Sequence, residues 1–257
     1  MVIGIDKFKE YFAGYEGNYI IIGGTACDLI LEETPIVPRA TKDIDIILVI
    51  EAMSVDFAQR FWQFIADGDY EQRQRNAPDS GSKTEFYRFI KSKTKGFPKM
   101  LELFSRRPEI LGETSFHLTP IPVDESVSSL SAILLNDDYY HYTLANSRVE
   151  DGVHFADVSA LICLKAKAYI ELKERMDNGD KIDRHDLLKH LVDIIKLILT
   201  LPGNATPYVL NVTLHENIGL FIHLNEDSFP EQSVIDSLNL PKRTIVNAWE
   251  LFKKLFQ

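Results

Sequence analysis

The chain has 257 residues and a net charge of −10, and hydrophobic residues make up 45% of it. This length fits one large domain or two small ones, and the composition is that of a soluble globular protein. The acidic balance excludes a protein that binds nucleic acid over its whole surface, although a local basic cleft is still allowed. The two cysteines, Cys27 and Cys163, lie in apolar runs, so we expect no disulfide framework. No signal-peptide pattern is visible and no apolar stretch approaches the ~18 residues of a membrane-spanning helix, so we expect a cytoplasmic protein with no membrane partner.

The first half of the chain alternates between helical and strand patterns. Residues 19–22 form a short β-branched run that ends at Gly23-Gly24, which is typical of a buried strand entering a tight turn. Thr25 is the predicted N-cap of the helix that follows. Periodicity further predicts helices at 6–13 and 54–67, strands at 44–50, 86–90 and 100–104, and a polar loop at 74–84.

The second half is mainly helical. A hairpin is predicted from strands at 139–145 and 153–155, and helices are predicted at 157–176, 184–201, 206–222, 228–237 and 241–256. This change of character predicts two domains, residues 1–150 and 151–257. The chain as a whole is therefore predicted to be α+β, with a mixed sheet and flanking helices followed by a mainly helical C-terminal region.

The chemistry is concentrated around two aspartates at the start of the 44–50 strand. Alternate side chains share one face of a strand, so Asp43 and Asp45 should point the same way, with Cα atoms roughly 6.6 Å apart. Two carboxylates on one rigid face can bracket Mg²⁺ ions. The glycine pair Gly23-Gly24 can present backbone N–H groups to a phosphate. Each feature alone is more often a solvated strand end or a simple turn, but their order along the chain favours a site.

This order resembles the nucleotidyltransferase superfamily, whose pattern is hG[GS] followed by Dh[DE]h. Gly23-Gly24-Thr25 together with the later segment Arg39-Ala40-Thr41-Lys42-Asp43-Ile44-Asp45 looks most like the AbiEii-type branch of abortive-infection toxins. The resemblance implies a nucleotidyltransferase-like fold and transfer of a nucleotidyl group from an NTP with Mg²⁺ or Mn²⁺. It leaves open an RNA acceptor (tRNA in some toxins), a protein or a small molecule, and it suggests a cognate antitoxin. A non-catalytic interaction protein that keeps the fold is the alternative.

The same resemblance implies nucleotide contacts from several residues. Besides Gly23, Gly24 and Thr25, it points to a lysine in a later helix, where Lys165 and Lys167 compete. Lys167 has Glu171 one turn away, whereas Lys165 has no acidic neighbour on its own helix, so we expect Lys165 to contact the phosphates. The alternative is a lysine that reaches to solvent.

Weaker candidates lie in a loop and on the next helix. Arg39 and Lys42 are loop cations that can serve the nucleotide or simply neutralise the aspartates. Asp186 and Asp193 are secondary candidates for the site rim; the default interpretation is a solvated, self-paired helix face.

A third carboxylate is predicted at Glu102. In the 100–104 strand it shares a face with Met100 and Phe104, so it is a single acid among apolar neighbours. A metal shared with Asp43 and Asp45 would offset the cost of burying it. The alternative is that Glu102 pairs with Arg88 of the adjacent predicted strand.

Overall fold

The computed structural model describes residues 3–39, 41–72, 87–106, 118–121, 130–227 and 229–257. The chain divides into two compact units: unit 1 comprises Met1–Leu29 and Arg39–Ala156, and unit 2 comprises Ile30–Pro38 and Asp157–Gln257. The predicted loop at 74–84 lies outside the described residues. No helix in the described ranges is long and apolar enough to cross a membrane.

Unit 1 is built on a mixed sheet. Its helices are α1 (Ile5–Phe12), α2 (Gly23–Glu32, which continues into unit 2), α3 (Val55–Asp67) and α4 (Asp137–Ala145). Its strands are β1 (Tyr19–Ile22), β2 (Asp43–Leu48), β3 (Glu71–Gln72), β4 (Arg88–Ile90), β5 (Met100–Ser105), β6 (Leu118–Ile121), β7 (Leu130–Leu134), β8 (Ser147–Glu150) and β9 (Val153–Ala156).

The strands are ordered β3-β4-β5-β2-β1-β9-β8, and β7 pairs with the end of β5 and with β6. β2 lies at the centre, antiparallel to β1 and parallel to β5. The register places Asp45 beside Ile22 on one side and beside Glu102 on the other. The end of β1, the start of β2 and the middle of β5 therefore meet at one edge of the sheet.

An aromatic core packs α1 and α3 together in unit 1. Phe8, Phe12 and Phe64 are almost fully buried, and the rings of Phe12 and Phe64 lie 5.4 Å apart. α3 begins where Ser54 accepts a hydrogen bond from the Phe57 N–H, as expected for an N-cap. Each buried phenylalanine stabilises the fold by about 1.5–3 kcal/mol, which fixes α1 and α3 against each other.

Unit 2 is helical within its described residues. Its helices are α5 (Val158–Asp177), α6 (Arg184–Leu199), α7 (Val212–Asn225), α8 (Gln232–Leu238) and α9 (Lys242–Phe256). Asp157, Asp183 and Asn211 each cap one of the first three by accepting a backbone hydrogen bond. The α+β architecture with a mainly helical C-terminal region is therefore confirmed.

Two local predictions were wrong. The segment at 139–145 was predicted as a strand because aromatic and β-branched residues favour strands. It belongs to α4, which Asn136 caps and whose Tyr139, Tyr140 and Thr143 are buried, so packing overrides the propensity. The hairpin here is formed by β8 and β9 instead. Thr25 is not an N-cap, because α2 already begins at Gly23.

Candidate active site

Asp43 and Asp45 lie on one face of β2, as the alternation predicts. Both are half-buried, whereas Ile44 and Ile46 on the other face are buried. The apolar face anchors the strand in the core and fixes the direction of the two carboxylates. Each aspartate also takes part in polar interactions, so neither is an isolated charge.

The two glycines after β1 are required by close contacts rather than by a turn alone. Gly23 has a φ of +69°, and a Cβ added there would lie 2.1 Å from Asp45 Oδ2. A Cβ at Gly24 would lie 2.8 Å from Thr41 Oγ1 and 3.1 Å from Arg39 Nη2. A side chain at either position would collide with its neighbours. The glycine pair therefore brings the α2 backbone directly against the Asp45 carboxylate and the Arg39 guanidinium.

α2 also holds the segment that leads into β2. The buried Asp28 carboxylate accepts hydrogen bonds from the backbone N–H groups of Arg39 at 3.3 Å and Thr41 at 2.7 Å. Thr25 is fully buried, and its hydroxyl donates to the Asp43 carbonyl at 2.6 Å. These bonds fix the position of Asp43 relative to the glycines. Thr25, which was predicted as a nucleotide contact, uses its hydroxyl to hold the backbone of Asp43. Asp28 positions the backbone of Arg39 and Thr41 and was not predicted from the sequence.

The segment between α2 and β2 also contains a buried hydroxyl group. Thr41 Oγ1 is buried, and among the described residues it has no hydrogen-bond partner. Buried hydroxyl groups are normally hydrogen-bonded, so an unpaired one next to a glycine pair and an arginine is unusual. Lys42, the next residue, is exposed to solvent.

Glu102 lies in the same row as Asp45. Asp45 pairs with Glu102 across the parallel β2–β5 ladder, and Glu102 pairs with Arg88 across the antiparallel β4–β5 ladder. Residues paired in register point to the same face, so the three side chains follow one another across the sheet. Glu102 is buried, and its carboxylate accepts hydrogen bonds from Nε and Nη2 of Arg88. Glu102 thus lies on the predicted face, and it also has the Arg88 partner that was its alternative.

The donor chemistry suits a hard divalent cation, but the described residues form no ready three-ligand cluster. Asp43 and Asp45 supply carboxylate oxygens, the ligands that Mg²⁺ and Mn²⁺ prefer. No group of three histidine, cysteine, aspartate or glutamate side chains within the described ranges is arranged to hold a metal ion. Arg88 occupies one oxygen of Glu102.

Lys165 lies in unit 2 and is buried there. Its Nζ lies 2.7 Å from Asp193 Oδ2 on α6, and both side chains are about nineteen-twentieths buried, with 6% and 5% exposed. From the sequence, Lys165 was compared only with neighbouring positions on its own helix, but Asp193 lies on the adjacent helix α6. Lys167 forms the predicted surface pair with Glu171 at 3.4 Å.

The face of α6 was predicted to be solvated and self-paired, and this holds for only part of it. Asp186 accepts a hydrogen bond from Lys189, which lowers the pKa of Asp186 despite the opposing effect of partial burial. Asp193 is instead buried against Lys165, so its assignment to the solvated face was wrong. A helix-face pattern could not show this, because the partner lies on a different helix.

Comparison with known proteins adds one weak structural likeness. The chain matches no protein-family model and no curated protein. It is similar to the crystal structure of a candidate nucleotidyltransferase from H. pylori, with 13% sequence identity and a TM-score of 0.34 over 97% of this chain and 94% of the other.

Proposed function

We propose that this protein transfers a nucleotidyl group from an NTP to an acceptor hydroxyl at the edge of the sheet formed by β1, β2 and β5. The observation that carries the proposal is the contact between the glycine pair and the aspartate pair. Asp43 and Asp45 share one face of β2, and the Gly23 backbone approaches Asp45 so closely that no side chain fits between them. A helix N-terminus, which can accept a phosphate, beside paired carboxylates, which can hold a metal ion, suits nucleotidyl transfer.

The chemistry assigns a role to each part of this edge. The acceptor oxygen bonds to the α-phosphorus, the bond from that phosphorus to the bridging oxygen breaks, and pyrophosphate leaves while a carboxylate or solvent takes the hydroxyl proton. Asp43 and Asp45 would hold Mg²⁺ or Mn²⁺, which supplies charge neutralisation at the triphosphate when bound. Glu102 would act as a third metal ligand once the hydrogen bonds from Arg88 are replaced by the metal. Gly23, Gly24 and Arg39 lie where a phosphate would meet the start of α2.

The test is NTP turnover in an aspartate variant. Asp43→Asn should lower Mg²⁺-dependent release of pyrophosphate at least about a hundredfold, because a lost carboxylate ligand removes several kcal/mol of charge stabilisation. Asp56→Asn, a change of the same type at an exposed position of α3, is the matched control and should retain full turnover. Equal turnover in both variants would overturn the assignment of the aspartates.

A non-catalytic interaction protein is the second candidate, and the Arg88–Glu102 contact favours it. A guanidinium that satisfies a buried carboxylate removes the need for a metal at that position. The two candidates differ in how they respond to Mg²⁺ with each NTP in a thermal-shift assay. A catalytic site should be stabilised by its ligand, and an interaction scaffold should not be.

A toxin role is the finer proposal, and it rests on the AbiEii-type pattern of Gly23-Gly24-Thr25 and Arg39 to Asp45. Expression of the intact chain should arrest bacterial growth, and Asp43→Asn should relieve the arrest. A cognate antitoxin would then be found as a co-expressed protein that restores growth. Growth arrest by the Asp43→Asn variant as well would refute a nucleotidyl-transfer toxin.

A further inference from the structure

The connection between β4 and β5 is strongly basic in an acidic chain. The nine residues from Lys91 to Lys99 contain four lysines and no acidic residue, although the chain has a net charge of −10. Lys91, Lys93, Lys95 and Lys99 are all exposed to solvent. These four lysines are called the lysine hairpin below. A concentrated positive surface on an acidic protein attracts polyanions to that surface.

The lysine hairpin has a defined backbone. Three buried residues separate the exposed lysines: Ser92 lies between Lys91 and Lys93, and Phe97 and Pro98 lie between Lys95 and Lys99. Ser92 donates to the Gly68 carbonyl at 2.8 Å, and the Tyr70 hydroxyl donates to the Pro98 carbonyl at 2.7 Å. The backbone of this segment is therefore anchored to Gly68 and Tyr70, while the four lysines are exposed and Lys99 Nζ lies 3.4 Å from the Ser92 carbonyl.

Much of this charge is not neutralised inside the protein. Lys91 pairs with Glu71 at 3.0 Å, and Lys93 lies 3.9 Å from Asp69, but these pairs are exposed and such pairs contribute little. Lys95 and Lys99 have no carboxylate within ion-pair distance among the described residues. The hairpin therefore offers positive charge to an external anion.

The hairpin leads directly to the start of β2, where Asp43 and Asp45 lie; this region is called the carboxylate edge below. The Lys99 N–H donates to the Lys42 carbonyl at 2.8 Å, and the next pair in the ladder is Asp43 with Met100. Lys42 is itself exposed. A strand of phosphates that lies on the hairpin would thus reach the site beside Asp43.

We propose that the lysine hairpin is the acceptor-binding surface and that the acceptor is a nucleic-acid strand, whose phosphates it holds while one hydroxyl reaches the carboxylate edge. This inference rests on the proposed nucleotidyl transfer. Lysines bind phosphates as point charges without reading the base, so the hairpin should position the strand rather than select its sequence. A small-molecule acceptor would not need four exposed lysines spread over nine residues.

Binding of fluorescein-labelled poly(U) RNA and poly(dT) DNA to the full chain tests the surface. The variant Lys93→Ala/Lys95→Ala/Lys99→Ala should weaken binding at least about tenfold and reduce the slope of log K against log salt by about 2, at ~0.7 for each lost phosphate contact. The control Lys181→Ala/Lys242→Ala/Arg243→Ala removes the same charge from exposed positions of unit 2 and should leave affinity and slope unchanged. The two probes distinguish RNA from DNA as the source of the phosphates.

Three further outcomes separate this inference from the proposed function. Acceptor-independent NTP binding should be the same in the hairpin variant and the unchanged protein. Asp43→Asn should abolish turnover while it keeps RNA or DNA binding. The nucleic-acid surface is refuted if the hairpin and control variants bind both probes equally. It is also refuted if the hairpin variant loses nucleotidyl transfer to a protein acceptor and keeps its binding of RNA and DNA. If Asp43→Asn still loses turnover in that case, the proposed nucleotidyl transfer remains supported even though the nucleic-acid surface is refuted.

Discussion

The buried ion pair between Lys165 and Asp193 gives the most decisive prediction about unit 2. The charged atoms lie 2.7 Å apart on α5 and α6, and both side chains are almost fully buried. Replacing only one partner leaves a buried charge without its counter-ion, which typically costs 3–5 kcal/mol. We therefore expect Lys165→Met and Asp193→Leu each to lower the free energy of unfolding by about 3–5 kcal/mol.

The double variant Lys165→Met/Asp193→Leu should recover most of this loss. It removes both charges together, and well-packed apolar replacements of a buried pair are often neutral or stabilising by about 1–4 kcal/mol. Urea unfolding of the four proteins, followed by circular dichroism, gives the coupling free energy of the pair. Lys167→Met is the matched control on the same helix: its pair with Glu171 has side chains 34% and 58% exposed, so we expect a change within about 0.5 kcal/mol.

Strictly additive losses in the double variant would refute the structural interpretation of the pair. The double variant Lys165→Met/Asp193→Leu also tests the nucleotide contact predicted for Lys165. If Lys165 acts only through Asp193, the folded double variant should bind Mg·NTP as tightly as the unchanged protein. If Lys165 contacts the phosphates, the double variant should be stable but bind NTP weakly. Stability and nucleotide binding therefore become separate measurements.

Two further perturbations test the site scaffold and the far end of β2. Gly23→Ala should destabilise the protein more than Gly14→Ala by at least about 1 kcal/mol in urea unfolding, because both glycines have positive φ but only a Cβ added at Gly23 would lie 2.1 Å from Asp45 Oδ2, whereas one at Gly14 would meet nothing within 4 Å; equal losses would disprove the contact. Burial raises the pKa of Glu51, but hydrogen bonds from Tyr140 and Arg106 outweigh it and the net pKa is lowered. The ionised Glu51 carboxylate therefore stabilises the fold at a pH above its pKa in the unfolded chain. This stabilisation is lost as the pH falls through the lower pKa of Glu51 in the folded protein. The stability difference between the unchanged protein and Glu51→Gln, about 1 kcal/mol or less for this partly exposed group, should therefore shrink as the pH falls below about 4.5; a constant difference would contradict it.

Local patterns predicted the site face well. The alternation of Asp43 and Asp45 with buried isoleucines depends only on the period of a strand, and the structure has the same alternation. Glu102 was placed on the correct face for the same reason. The end of β1 before Gly23-Gly24 followed from the end of a β-branched run, but α2 begins at Gly23 without the predicted turn. These features are fixed within a few residues of chain, so sequence is sufficient to find them.

Partner identity was predicted less well, because it depends on contacts between distant segments. Lys165 was judged by its own helix, but its anion is Asp193, 28 residues away. Asp28 was not singled out at all, although it holds the backbone of Arg39 and Thr41. A short polar residue in a helix gives no signal in sequence that its carboxylate is buried and aimed at a loop. α4 was missed for a related reason, since burial of Tyr139 and Tyr140 outweighs their strand preference.

The Arg88 contact connects the two candidate functions through one physical constraint. Asp45 and Glu102 are neighbours in register, so two carboxylates face the same side of adjacent strands. Such neighbours repel each other unless a cation lies beside them. Arg88 supplies that cation from β4, which makes the buried Glu102 stable when nothing is bound. A divalent ion at Asp43 and Asp45 would supply the same compensation from the other side and so weaken the need for Arg88. Metal binding and release of Arg88 from Glu102 should therefore be linked, and a protein that only uses the fold for interaction would have no such linkage.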